Sequence, residues 1–208
     1  MAIPVPRPFS GASRVGLRAW LPIASVAIAL CGCSINLGSL SPEPSSEAPK
    51  AAPAGAEIAD AQAYNLRGQA LVRSGKTDEA LAEFDHAIAL DPNNADALYN
   101  RGLLHQSEKQ HPLAIDDFSA ANGLTPQRAE PLLARAISYL ALDKLKEAAA
   151  DLDEASEADP QNAQIWITRG LVYERLGDRT KAASSYARAI SIHPKDEAAR
   201  SGYARVGR

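Results

Sequence analysis

Beyond residue 60 the pattern of apolar and polar positions recurs at one fixed interval, the spacing from Ala61 to Ala95. Alanine opens each unit, at Ala61, Ala95, Ala129 and Ala163, and a small residue follows seven places on, at Gly68, Gly102, Ala136 and Gly170. Alanine returns at Ala80, Ala114, Ala148 and Ala182, and again at Ala87, Ala121, Ala155 and Ala189. Proline closes every unit, at Pro92, Pro126, Pro160 and Pro194, and no insertion breaks the register. The segment is helix-forming to its end. Each closing proline lacks an amide hydrogen and clashes with the preceding turn, so it ends a helix. Pro112 and Pro131 fall in first turns, where proline is tolerated. A last helix is predicted from about Asp196 to Arg205, with Arg200 and Arg205 on a polar face suited to a solvent cap.

This period and these residue types resemble the tetratricopeptide repeat, TPR, over residues 61–196. The large residue of that pattern at position 4 is Tyr64, Leu98, Leu132 and Trp166, and the bulky one at position 24 is Phe84, Phe118, Leu152 and Tyr186. Ala136 stands in for glycine and His105 for an aromatic, and Asn122-Gly123 predicts a frayed helix end. The resemblance implies an all-α fold: a right-handed superhelical solenoid of four helix-turn-helix units plus a C-terminal capping helix. The units run 61–94, 95–128, 129–162 and 163–196, and the cap 197–208. Small residues at positions 8, 20 and 27 let two antiparallel helices approach, and bulky ones at 4, 11 and 24 fill the seam. Each unit buries its apolar face only against neighbours, which leaves a concave groove.

In this family, positions 2, 5, 9, 12 and 13 of the first helix line that groove. Here they include Asn65, Gln69 and Arg73, then Tyr99, Leu103 and Gln106. The third unit gives Glu130, Leu133, Ile137 and Leu140, and the fourth Ile167, Leu171 and Arg175. The result is an apolar strip with polar ends, suited to an amphipathic helix or an extended peptide with apolar anchors. Asn65 and Asn100 alone do not make the carboxylate clamp of TPR chaperone adaptors, so recognition of a chaperone tail is disfavoured. Internal packing or self-association competes with partner binding for the same strip.

Arginine holds position 7 of every unit, at Arg67, Arg101, Arg135 and Arg169, and could be mistaken for a phosphate ladder. Sixteen places further on stand Glu83, Asp117, Asp151 and then Ser185. Three structural Arg–acid pairs within the units are therefore expected (Arg67–Glu83, Arg101–Asp117, Arg135–Asp151), with the fourth broken. The four histidines lack metal-ligand spacing, and no phosphate loop, nucleophile elbow or zinc-protease motif occurs. The reading is non-catalytic, with no catalytic residues, no metal, no cofactor and no small-molecule substrate.

The chain ahead of Ala61 differs in kind. Arg7, Arg14 and Arg18 precede an uncharged, mostly apolar stretch from Ala19 to Leu30, too short for a membrane span of roughly 20 residues. That is the layout of a secretory signal. It ends in Leu30, Cys31, Gly32 and Cys33, which resembles the lipobox of bacterial lipoproteins, with Cys33 as the lipid-bearing residue. Cys31 is a mild departure. One Cys-x-Cys pair offers at most two zinc ligands, and a disulfide across one residue would be strained. Residues 1–32 are thus read as a signal peptide and 33–60 as the lipid anchor and a disordered Pro/Ser/Ala linker. The signal segment holds three arginines and no acid, so its removal takes the net charge from −3 to −6, which excludes a general affinity for nucleic acid. Ser34 after the anchor points, by resemblance, to the outer membrane facing the periplasm of a bacterial envelope.

The expectation is a membrane-tethered TPR scaffold that holds a protein partner in its groove. It resembles TPR lipoproteins that support pilus or secretion assembly or recruit cell-wall enzymes. The alternative is a soluble exported periplasmic adaptor without a lipid anchor.

Overall fold

A computed structural model describes residues 54–207, so the signal segment, Cys31, Cys33 and the linker as far as residue 53 lie outside the described residues. The helices are α1 (Ala54–Arg73), α2 (Thr77–Leu90), α3 (Ala95–Ser107), α4 (His111–Leu124), α5 (Ala129–Ala141), α6 (Leu145–Ala158), α7 (Ala163–Arg175), α8 (Arg179–Ile192) and α9 (Glu197–Val206). No strand occurs among the described residues. Consecutive helices pair as α1/α2, α3/α4, α5/α6 and α7/α8, and α9 lies on α8 and α7. First helices also touch first helices, in the series α1, α3, α5, α7 and α9, whereas α2, α4, α6 and α8 make no mutual contacts. Helices that touch sit on the inside of a curve. The odd-numbered helices therefore line the concave side of an all-α superhelix.

Two boundaries differ from the sequence expectation. Helix α1 begins at Ala54, so residues 54–60 belong to the first helix and not to the linker. The stretch AGAEIAD after the last linker proline, Pro53, is alanine-rich and carries Glu57 in the first turn, where a carboxylate suits the helix dipole. The expected fraying at Asn122-Gly123 does not occur. Helix α4 runs through both to Leu124, and Thr125 closes it by donating its backbone N–H (3.0 Å) and its Oγ1 (2.9 Å) to the Ala121 carbonyl.

The seam inside each pair explains the pattern of small residues. A Cβ at Gly68 would lie 2.5 Å from the Phe84 ring, at Gly102 2.7 Å from Phe118, and at Gly170 2.7 Å from Tyr186. The helices approach because the small residue leaves room for a ring on the facing helix. The third unit solves the same problem with different sizes. There Ala136 replaces glycine, and Leu152, fully buried, replaces the ring. The two departures are one compensated exchange.

The turn inside each pair needs a left-handed residue at position 15. It is glycine at Gly75 (φ 76°) and Gly177 (φ 81°), but Lys109 (φ 62°) and Asp143 (φ 59°) in the middle units. A side chain is disfavoured in that region, where glycine is not. Lys109→Gly is expected to raise stability by about 0.5–1 kcal/mol. Urea denaturation checks this, and a destabilised variant would contradict it.

Candidate protein-binding groove

The position-7 arginines set the spacing of the groove wall. Arg67 Nε donates to Glu83 Oε2 at 2.8 Å. Arg101 grips Asp117 through Nε (3.0 Å) and Nη2 (2.6 Å), and Arg135 grips Asp151 through the same two atoms at 2.8 Å each. Each free Nη1 then reaches back to the preceding unit: from Arg101 to Asp85 Oδ1 (2.8 Å) and from Arg135 to Ser119 Oγ (3.0 Å). Arg169 finds no acid ahead of it. It donates to Ser185 Oγ (2.7 Å) and pairs backward with Asp153 (2.7 Å), which also accepts from the Tyr173 hydroxyl. The interior arginines thus fasten each first helix both to its own second helix and to that of the previous unit. The hydrogen bonds they donate to Asp117 and Asp151 hold the Arg101 and Arg135 guanidinium groups above the usual arginine value. The backward bonds fall outside a search confined to one unit, but the acid at position 25, Asp85 and Asp153, was visible in the sequence.

The expected groove residues divide by burial. Asn65 is buried and accepts a hydrogen bond from Asn100 Nδ2 at 2.9 Å, while Gln106 Nε2 donates to the Ala134 carbonyl and Ser138 Oγ, both at 2.8 Å. These two brace the floor between units, with Asn65 Oδ1 and Gln106 Nε2 already engaged. Tyr99 lies half-buried with its ring 5.8 Å from that of Phe118, and Leu133 and Leu140 pack on the main core cluster. Ile137 and Ile167 are half-buried, and Gln69 likewise. Leu103 and Leu171 stand out to solvent. A cavity of about 390 Å³ opens between the first two units, lined by Gln69, Val72, Arg73, Leu103 and Ser107. Val72 was absent from the sequence-derived set, although its place, position 12, belongs to the lining positions of the repeat.

Ion pairs also tie neighbouring units together along the array. Arg128 Nη1 pairs with Asp96 at 2.6 Å, and Arg175 reaches back to Asp143 at 2.6 Å. Glu174, which occupies position 12 of the fourth unit, receives Arg205 Nε (2.8 Å) and the Tyr186 hydroxyl (2.8 Å). The hydrogen bond from Arg205 holds its carboxyl below the ordinary glutamate value. His105, at a packing position, turns its Nδ1 to Gln110 Oε1 at 2.7 Å. Among the described residues no three His, Cys, Asp or Glu side chains converge as a metal site, and no helix is long and apolar enough to cross a membrane.

Comparisons with known proteins agree with this geometry. A family model described as TPR repeat matches residues 68–109, and one described as Tetratricopeptide repeat matches 133–197. A relative from Arabidopsis thaliana, the tetratricopeptide repeat domain-containing protein PYG7, chloroplastic, is 38% identical over 56 residues. The match covers 27% of this chain and 19% of that protein. Among solved structures, that of the MamA protein superposes with a TM-score of 0.67 at 23% identity, over 71% of this chain and 80% of that one. The first TPR of Spaghetti (RPAP3), bound to an HSP90 peptide, superposes with a TM-score of 0.56 at 24% identity, over 58% of this chain and 95% of that one. The unbroken repeat register, the paired helices and both family matches make this chain a member of the tetratricopeptide repeat family, whose superhelical fold is typical of non-catalytic protein-interaction scaffolds.

Proposed function

We propose that the chain is a membrane-tethered scaffold that takes a protein or peptide partner in its concave groove, held to a bacterial envelope by a lipid on Cys33. The observation that carries the groove assignment is the pair of leucines at position 9, Leu103 and Leu171, exposed with Val72 at the lining positions of the inner helices. Exposed apolar surface rimmed by charge marks an interaction site. The Val72–Leu103 cavity beside it has room for one large apolar anchor. The RPAP3 domain, a fold neighbour, holds a peptide, which is consistent with this use of the fold. The lipobox-like Leu30-Cys31-Gly32-Cys33 supports the tether, and the work envisaged is assembly of an envelope complex, of the pilus, secretion or cell-wall enzyme kind.

Tyr99 and Leu133 both pack on the core, so charging them would confuse folding with binding. Leu103→Glu with Leu171→Glu is the cleaner variant. It is expected to cut partner recovery from cells at least about tenfold, which is about 1.4 kcal/mol of binding, with unchanged helical circular dichroism. Undiminished recovery would remove the groove from the proposal. Metabolic labelling with palmitate, lost in Cys33→Ala, tests the tether separately. An unlabelled but exported protein would favour the soluble adaptor.

A further inference from the structure

The outer face of α1 has the residue positions of an inter-unit interface, and no described helix stacks on it. In the later units, positions 3 and 10 of the first helix are buried against the preceding unit, as Ile165 and Val172 are. The same positions in α1, Ala63 and Ala70, are exposed, and Leu66 between them is 62% exposed. Arg67 shows the same vacancy. Arg101, Arg135 and Arg169 each bond both forward and back, whereas Arg67 bonds to Glu83 ahead of it and has no described repeat unit behind it, and 52% of its side chain is exposed against 16% for Arg135. The array therefore defines what completes this face: an apolar helix that brings a carboxylate to Arg67, as Asp85 does for Arg101.

The repeat pattern does not continue one unit upstream. Carrying the register back by one unit puts Lys50 and Ala51 where Phe84 and Asp85 stand, between Pro49 and Pro53. Head-to-tail stacking brings no carboxylate to Arg67 in the manner of Asp85, because α9 exposes Arg200 and its Arg205 is already paired with Glu174. A second α1 does fit. Asp60, Ala63, Arg67 and Ala70 follow one another at three or four places, so they share one helix face. If two such helices run antiparallel and cross at Ala63, Asp60 of each lies opposite Arg67 of the other. A parallel pair would set arginine against arginine.

We infer that the chain forms a symmetric dimer through antiparallel α1 helices, closed by two Asp60–Arg67 ion pairs around Leu66. Val72 lies on a different face of α1, whereas Leu66 shares with Gln69 a cavity that runs to Asp96 and Arg128, so the dimer contact borders the first unit's end of the groove.

Sedimentation velocity on the full chain, in a mild detergent that holds its apolar leader, tests this. Wild type is expected as a dimer. Leu66→Glu, Asp60→Arg and Arg67→Asp are each expected to weaken it at least about tenfold, with helicity retained. An equimolar mixture of Asp60→Arg and Arg67→Asp restores the dimer, because each variant then meets the charge it lacks. Asp60 is exposed, so its variant remains decisive even if Arg67→Asp disturbs the pair with Glu83. Three results would overturn the inference. One is a wild-type monomer at about 100 µM. Another is a dimer indifferent to Leu66→Glu and Asp60→Arg. The last is a monomer whose Ala63→Cys thiol resists maleimide, which would put an upstream segment of the same chain on this face.

Discussion

Gly102→Ala is expected to destabilise the chain by about 1–3 kcal/mol, and Phe118→Leu in the same molecule to recover most of that loss. The added methyl would lie 2.7 Å from Phe118 Cε1, 2.9 Å from Cδ1 and 3.2 Å from the Asp117 Cβ. The ring is fully buried and cannot swing aside. Helix α3 must then back away from α4, and the Arg101–Asp117 bonds stretch with it. Phe118→Leu alone opens a cavity and should cost about 1–2 kcal/mol. Together the two changes rebuild the arrangement of the third unit, where Ala136 faces Leu152. A double-mutant cycle in urea measures the coupling. Simple additivity of the two losses would contradict the size-exchange account of the seam.

Asp151→Ala is expected to cost about 3 kcal/mol, the lower end of the loss when one member of a buried ion pair is removed. Arg135 and Asp151 are 16% and 9% exposed, and the aspartate accepts two hydrogen bonds from one guanidinium. Without it the guanidinium keeps only Ser119 and stays partly desolvated. The equivalent change in the first unit, Glu83→Ala, removes a pair whose arginine lies largely in solvent, and exposed pairs contribute little. Its effect should be much the smaller. Each unit leans on its neighbours, so loss of Asp151 should also loosen α7, which hydrogen exchange can follow. Equal losses from Asp151→Ala and Glu83→Ala would show that burial does not grade the ladder.

The fold was legible in the sequence because the packing rule acts at fixed positions. A ring at position 24 demands a small residue at position 8, and the proline at position 32 marks where the second helix has stopped. The boundary of α1 was less legible: Ala54–Asp60 has neither the register nor a proline, only helix propensity. The site was read in part. Positions 9 and 12 were recognised as lining, and Leu103 and Leu171 are exposed there. What the pattern did not disclose was how side chains are shared between units. Asn65 and Gln106 look like free amides in one dimension, yet in three each is taken by a neighbouring helix. The backward arms of Arg101, Arg135 and Arg169 were missed for the same reason.

The central claim is that the inner side of the superhelix holds the partner. The most direct test places a photocrosslinking amino acid at Leu103 or Leu171, and, as a control, at Ala120 on an exposed face of α4. The expected result is one discrete adduct from both inner positions in living cells, absent from Ala120. Adducts from Ala120 as strong as those from the two leucines, or none from the leucines at all, would contradict the account.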